Sequence, residues 1–274
     1  WGYDPNHYMA PEGSYASDAN QTGGARTSAF REMVGGLHRM GYQVVLDQVY
    51  NHTAASGQGE KSVLDKVVPG YYQRLMPDGS VANSTCCDNV ATEHAMAEQL
   101  MVDSVVMWAR DYKVDGFRFD LMGHHSRDNM LAVRAALDEL TVAEDGVDGS
   151  KFYLYGEGWD FGEVAGNQRF TQATQWNMGG THIGSFNDKM RDAVHGPMGG
   201  DATTKAPSQG FGNGLYTDPN GKGGNSDLGH LRYEQDRVRV GMAGNLRSIQ
   251  VSGKSGSDLG GYAGKSVISI PKNL

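Results

Sequence analysis

Three apolar runs in this chain each follow a helical pattern, and a carboxylate stands at or just past the end of each. Tyr42–Val49 carries Asp47, Val114–Met122 carries Asp120, and Phe152–Tyr155 leads into Glu157. The helical patterns lie at 27–41, 94–112 and 128–140. In the first, Phe30, Met33, Val34 and Leu37 share a face and Gly41 offers a stop. In the second, Met101, Val105, Trp108 and Tyr112 form a stripe; in the third, Leu131, Ala135 and Leu137 share a side. Helices alternating with single strands predict an α/β protein with parallel strands, because parallel neighbours need a crossover about as long as a helix. No Gly-x-Gly-x-x-Gly follows a strand and no P-loop is present, which weakens a nucleotide-binding version of that fold. Polar residues recurring at strand ends favour a (β/α)8 barrel, whose chemistry gathers at the C-terminal ends of its strands.

The remaining stretches are less regular. Residues 53–93 lack a period, with Pro69-Gly70 and Pro77-Asp78-Gly79 as turn signals, and Asp145-Gly146 and Asp148-Gly149 read as turns. A short helix is expected over 185–195. From 196 onward glycine, serine, asparagine and aspartate dominate, apart from a charged stretch at 232–240. Long loops with some helix are expected over 196–264, with a disordered tail as the alternative. The expected division is a catalytic barrel portion at 1–195, followed by a glycine-rich region at 196–274 that continues the same domain. Cys86 and Cys87 are adjacent, so they cannot staple distant segments, and two packed thiols are expected. The formal net charge of -8 argues against nucleic acid or an anionic membrane as the main partner, since both select a basic face. A neutral polysaccharide stays compatible with it. No apolar run approaches the ~20 residues that span a bilayer.

Residues two apart in a strand face the same side, so Arg118 sits beside Asp120 and would hold it ionised and oriented, as a nucleophile requires. An ordinary ion pair at a strand end is the alternative. Glu157 lies between two glycines and two residues before Trp159. A carboxyl beside an indole loses solvation and keeps its proton, as a general acid requires, while the indole also offers a flat face to a sugar ring. A turn glutamate beside a core tryptophan is the plain reading. His124 could reach back to donate to sugar hydroxyls, Asp47 could organise the barrel mouth, and His52 could touch the sugar directly. Asp47 and His52 lack a third ligand for zinc, whereas Asn51 and nearby carbonyls would suit calcium. Tyr3 is either a stacking platform for a sugar or a loop aromatic.

These blocks resemble a known family. Asp47–His52, Gly116–His124 and Tyr155–Val164 are similar to the first three sequence blocks of the α-amylase clan, in that order. Trp1-Gly2-Tyr3-Asp4-Pro5, Ser84-Thr85-Cys86-Cys87, Tyr112-Lys113-Val114-Asp115, Asp120-Leu121-Met122-Gly123-His124, Gly156-Glu157-Gly158-Trp159-Asp160-Phe161-Gly162-Glu163-Val164 and Gly184-Ser185-Phe186-Asn187-Asp188 resemble the type I pullulanase and limit-dextrinase branch. The resemblance implies Asp120 as nucleophile, Glu157 as acid/base and Arg118 as the arginine beside the nucleophile. It implies His52 and Tyr3 as residues holding the sugar, and Trp159 as an aromatic near the leaving group. The reaction implied is retaining hydrolysis of α-1,6 branch points in an α-glucan, with the two carboxyls roughly 5–5.5 Å apart. Action on α-1,4 linkages, glucan transfer and non-catalytic glucan binding are the alternatives. No organic cofactor is implied, although calcium often accompanies the family. The address implied is secreted or at the surface of a bacterium, with the cytoplasm as the alternative. The family's fourth block, His-Asp-Asn, is not found before the chain reaches Ser266–Leu274. An internal piece of a longer enzyme is therefore expected: a partial (β/α)8 TIM barrel of roughly strands three to six, unable to close and inactive by itself.

Overall fold

The three apolar runs become neighbouring parallel strands in the computed structural model, which describes residues 3–17, 24–197, 202–205, 207–222 and 224–261. The described residues up to Asn177 form one compact unit, and those from Met178 form a second. Trp1-Gly2 and Ser266–Leu274, both used above, lie outside the described residues.

In chain order the first unit holds α1 (Ala25–Arg39), β1 (Val45–Gln48), β2 (His52–Thr53), α2 (Leu64–Val67), β3 (Asp88–Asn89) and α3 (Ala95–Tyr112). It continues with β4 (Gly116–Phe119), α4 (Arg127–Asp138), α5 (Val142–Asp145) and β5 (Tyr153–Gly156). β4 lies between β1 and β5, parallel to both, with Asp47 and Tyr155 as the two register partners of Arg118. Pairing runs on past the strand ends, where the Asp120 amide donates to the Gln48 carbonyl and the Glu157 amide to the Phe119 carbonyl. Those two bonds put both carboxylates at the C-terminal edge of the sheet. The architecture is an arc of a β/α barrel, and the described residues do not close it.

The apolar stripe of α3 is buried as expected, at Met101, Val105, Trp108 and Tyr112. The rings of Trp108 and Tyr112 lie 4.3 Å apart, and Phe30 of α1 meets Tyr112 edge-on at 5.5 Å. Each fully buried side chain of this size contributes about 1.5–3 kcal/mol, so packing rather than intrinsic propensity holds the helix. Lys113 then adopts a left-handed conformation (φ 59°) and ends it.

Other elements differ from expectation. The strand expected over Tyr42–Val49 shrinks to Val45–Gln48, and Val45 is 41% exposed. β1 is the sheet edge among the described strands of this unit, paired on one side only, so its outer surface is not covered. In α4 the expected face was misplaced. Met130, Val133 and Leu137 are buried, whereas Ala135 is exposed, so the buried stripe lies one position around from Leu131 and Ala135. The 53–93 stretch is folded, with β2 and β3 antiparallel and left-handed Gly70 and Gly79 at its two expected turns. Cys86 and Cys87 are paired as a disulfide rather than left as thiols.

The second unit holds β6 (Gly184–Ser185), α6 (Asp188–His195), α7 (Ala202–Lys205), α8 (Leu228–Met242) and the antiparallel pair β7 (Gln250–Val251) and β8 (Lys254–Ser255). The charged stretch at 232–240 is the body of α8, with Arg237–Glu234 and Arg239–Asp236 pairs along it. Val240 packs with Val251, Leu259 and Ile249. α6 lies against α8 so closely that a Cβ on Gly241 would stand 2.7 Å from Met190 Cβ. That packing draws 178–195 into the second unit, ahead of the composition change at 196. No helix among the described residues is long and apolar enough to cross a membrane.

Candidate active site

Arg118, at the third position of β4, organises the strand ends. Its Nη1 donates to Asp120 Oδ1 at 2.9 Å and to Asp47 Oδ1 at 2.8 Å, and its Nη2 reaches Glu157 Oε1 at 3.0 Å. One guanidinium thus holds a carboxylate from the end of each of three parallel strands. Its flat donor fork suits this work, as a lysine point charge would not.

Asp120 is buried, and donors surround its carboxylate. Asn51 Nδ2 donates to Oδ2 at 2.9 Å and to the Asp120 carbonyl at 3.0 Å, while the Tyr3 hydroxyl oxygen lies 3.2 Å from Oδ1. The same phenol donates to Asp47 Oδ2 at 2.8 Å and contacts Arg118 Nη1. Burial first, and then the carboxylates it faces, hold the Tyr3 hydroxyl above its usual range, so it stays a donor. These donors fix the orientation of the carboxylate.

Glu157 is treated differently. Its Oε2 accepts from the Leu121 amide at 3.0 Å, and its Oε1 accepts from Arg118 Nη2. Burial, the largest cause, raises the Glu157 carboxyl, and the charge of Asp120 adds to it. The Leu121 amide and Arg118 pull the other way without reversing the direction. The site thus favours the protonated form of Glu157 more than water does. Leu121, left-handed at φ 42°, turns its amide toward that carboxyl immediately after Asp120.

The other expected residues fall in different places. Asp47 joins the cluster with its side chain half-exposed. Asn51 gives its amide nitrogen to Asp120, so its oxygen accepts from His52 Nδ1 at 2.6 Å. The other ring nitrogen, Nε2, lies 3.1 Å from Asp4 Oδ1. His52 was expected to touch the sugar; it is 2% exposed with both ring nitrogens engaged, and it orients Asn51 instead. His124 was also expected to donate to sugar; it is wholly buried and meets Phe161 edge-on at 4.6 Å. The 3-10 turn Met122–His124 turns its ring inward, and burial lowers it to about 4, so it is neutral. Trp159 is part-exposed, and its carbonyl presses on Gly123. Asn51 is fully buried with oxygen and nitrogen both committed, so it does not fit as a calcium ligand. Asp4, His52 and the two sulfurs gather within 4.8 Å, but a disulfide supplies no thiolate to an ion.

Sequence reasoning missed Arg74, a fully buried guanidinium between Glu93 and Glu163. It lies in the stretch without periodicity, where nothing marked it. Glu163 stood in a quoted block but carried no role.

No family model matches the chain. It is 47% identical over 265 residues to Pullulanase 1, chloroplastic, of Arabidopsis thaliana, covering 95% of this chain and 27% of that protein. It is 43% identical over 263 residues to the pullulanase of Klebsiella pneumoniae, covering 94% of this chain and 23% of that protein. Among solved structures, the maltotriose complex of PulA from Klebsiella pneumoniae matches with a TM-score of 0.78 and 40% identity, over 96% of this chain and 28% of that one. The maltotetraose complex of pullulanase from Anoxybacillus sp. LM18-11 matches with a TM-score of 0.70 and 33% identity, over 89% and 31%. The chain thus spans about a quarter of the length of these curated relatives.

Proposed function

Since this chain belongs to the type I pullulanase branch of the α-amylase family, we propose that the protein carrying it hydrolyses α-1,6-glucosidic branch linkages of pullulan and of branched starch or glycogen dextrins, with retention of configuration. The observation that carries this reading is the pair Asp120 and Glu157 at neighbouring strand ends, both held by the Arg118 guanidinium at 2.9 and 3.0 Å. A pair gripped by one guanidinium suits the closer carboxyl spacing of a retaining enzyme, about 5–5.5 Å, better than the wider spacing of an inverting one.

In the first step an Asp120 carboxylate oxygen attacks the anomeric carbon. The bond from that carbon to the 6-oxygen breaks, and Glu157 delivers its proton to the departing oxygen. In the second step the Glu157 carboxylate takes a proton from water, the hydroxide adds to the same carbon, and Asp120 leaves as a carboxylate. A substrate entering the site takes a hydrogen bond from the Glu157 carboxyl on its glycosidic oxygen. Asp120 meanwhile keeps Asn51, Arg118 and Tyr3. All bond-making and proton transfer fall to the two carboxyls, and no organic cofactor enters.

The test is to incubate the full-length protein with pullulan and with amylose. Maltotriose release from pullulan, lost in Asp120→Asn and in Glu157→Gln, is the expected result. Cleavage of amylose with pullulan untouched would replace this reading with an α-1,4 hydrolase. Polymers of this size do not cross membranes unaided, so a secreted or cell-surface address in a bacterium belongs to the same proposal, checked by fractionating cells.

A further inference from the structure

We propose that Glu163, locked by Arg74, is a positioning residue that aims the proton of Glu157; this rests on the reading of Glu157 as the general acid. Glu163 follows Glu157 on the same loop, and its side chain is 4% exposed. It accepts from Arg74 Nη1 at 3.0 Å, from Asn89 Nδ2 at 2.9 Å and from the Ser84 hydroxyl. These donors outweigh burial and hold its carboxyl down at about 2.

Arg74 is the other half of the lock. Its side chain is 1% exposed. Nε and Nη2 fork onto Glu93 at 3.0 and 2.8 Å, and Nη2 also donates to the His124 carbonyl at 2.9 Å. A single guanidinium therefore ties the loop after β5, through Glu163, to the turn after β4, through His124. Removing an ion pair from water is costly and is poor evidence of stability; a fully hydrogen-bonded one specifies a geometry.

The backbone repeats the connection. Gly162 is left-handed (φ 75°), and a Cβ there would lie 2.4 Å from Ser84 Oγ, so the loop is pressed onto the 74–93 excursion. The Gly123 amide donates to the Glu157 carbonyl at 3.0 Å. Glu157 is thus held between the turn after β4 and the Glu163 anchor. The bonds made by Arg74 and Glu163 go to other groups than the carboxyls of Asp120 and Glu157. Their loss should misplace the acid while leaving the nucleophile, which Arg118, Asn51 and Tyr3 hold independently.

Departure of an alkoxide from an α-1,6 linkage needs a proton, whereas departure of fluoride does not. The experiment measures kcat/KM, which reports only through formation of the glycosyl-enzyme, for the full-length protein on pullulan and on α-maltotriosyl fluoride. Glu163→Gln and Arg74→Lys should lower kcat/KM on pullulan by about 100-fold, the scale of general acid catalysis, and on the fluoride by less than about threefold. Ser84→Ala, which removes one donor to Glu163 and is the variant safest to fold, should favour the fluoride in the same direction by a smaller ratio. Equal losses on both substrates, or no loss on either, would overturn the inference. Wild-type protein inert toward both substrates would instead remove the reading of Glu157 on which it rests.

Discussion

Burial and a neighbouring negative charge raise the Glu157 carboxyl more than an amide and a guanidinium lower it. The alkaline limb of kcat/KM should therefore lie above the ordinary glutamate range, where the acid loses its proton. Arg118→Met removes the positive charge that lowers Glu157, so that limb should move further up while the rate falls by at least about 100-fold as Asp120 loses its orientation. A pH–rate profile of the variant checks the direction; a limb that moves down would contradict the assignment. The Arg118–Asp120 pair was readable because a strand places residues two apart on one face whatever surrounds it. The fates of His52 and His124 were not readable. His124 sits in a 3-10 turn, and whether its ring faces inward depends on Phe161, a neighbour from another loop. His52 is turned by Asn51, whose own orientation follows from Asp120.

At the scale of elements, the loop from Glu157 to Gln168 is close-packed at Trp159 and roomy around Gly166, and its glycines show where. A Cβ on Gly123 would stand 2.0 Å from the Trp159 carbonyl, a backbone atom that cannot swing aside. Gly123→Ala should cost about 2–3 kcal/mol, a scale typical of overpacking, and lower activity by at least about tenfold, since the acid loop must shift to admit the methyl. Gly166 is left-handed (φ 64°) with nothing within 4 Å, so Gly166→Ala should cost only about 1–2 kcal/mol and leave turnover near wild type. Urea unfolding and pullulan kinetics on the two variants separate close approach from backbone preference. Helix α3 was legible because its stripe keeps one phase over eighteen residues. In α4 two overlapping stripes compete, and Asn129, whose side chain closes the cap with Ser126 and reaches the Thr92 carbonyl, joins the buried face to Met130 and Val133. A reading that ranks apolar residues alone places Asn129 outside.

Over the whole molecule, the alternation of helices and strands was enough for the fold class, because parallel pairing leaves few other arrangements. The division after Asn177 was not, because it follows from α6 packing on α8, a contact made between segments far apart in sequence. Acid sensitivity is likewise a property of the assembled unit. His125 is fully buried beside Thr92, and burial lowers it to about 3, while His124 is lowered to about 4. Both imidazoles are neutral in the folded protein and take up protons near pH 6.5 once unfolded. The unfolded state therefore binds more protons below that pH, and stability, complete above it, falls as pH drops through 6 and 5 toward 4. Two histidines give a limiting slope of about 2.7 kcal/mol per pH unit. Glu163, held at about 2, adds a further loss once pH falls below the ordinary glutamate value. Urea midpoints at pH 7, 6, 5 and 4.5 should decline with that steepness, and His125→Gln should remove about half of the dependence on pH between 6 and 5. A midpoint that stays level from pH 7 to 5 would mean that the two imidazoles are open to water in solution.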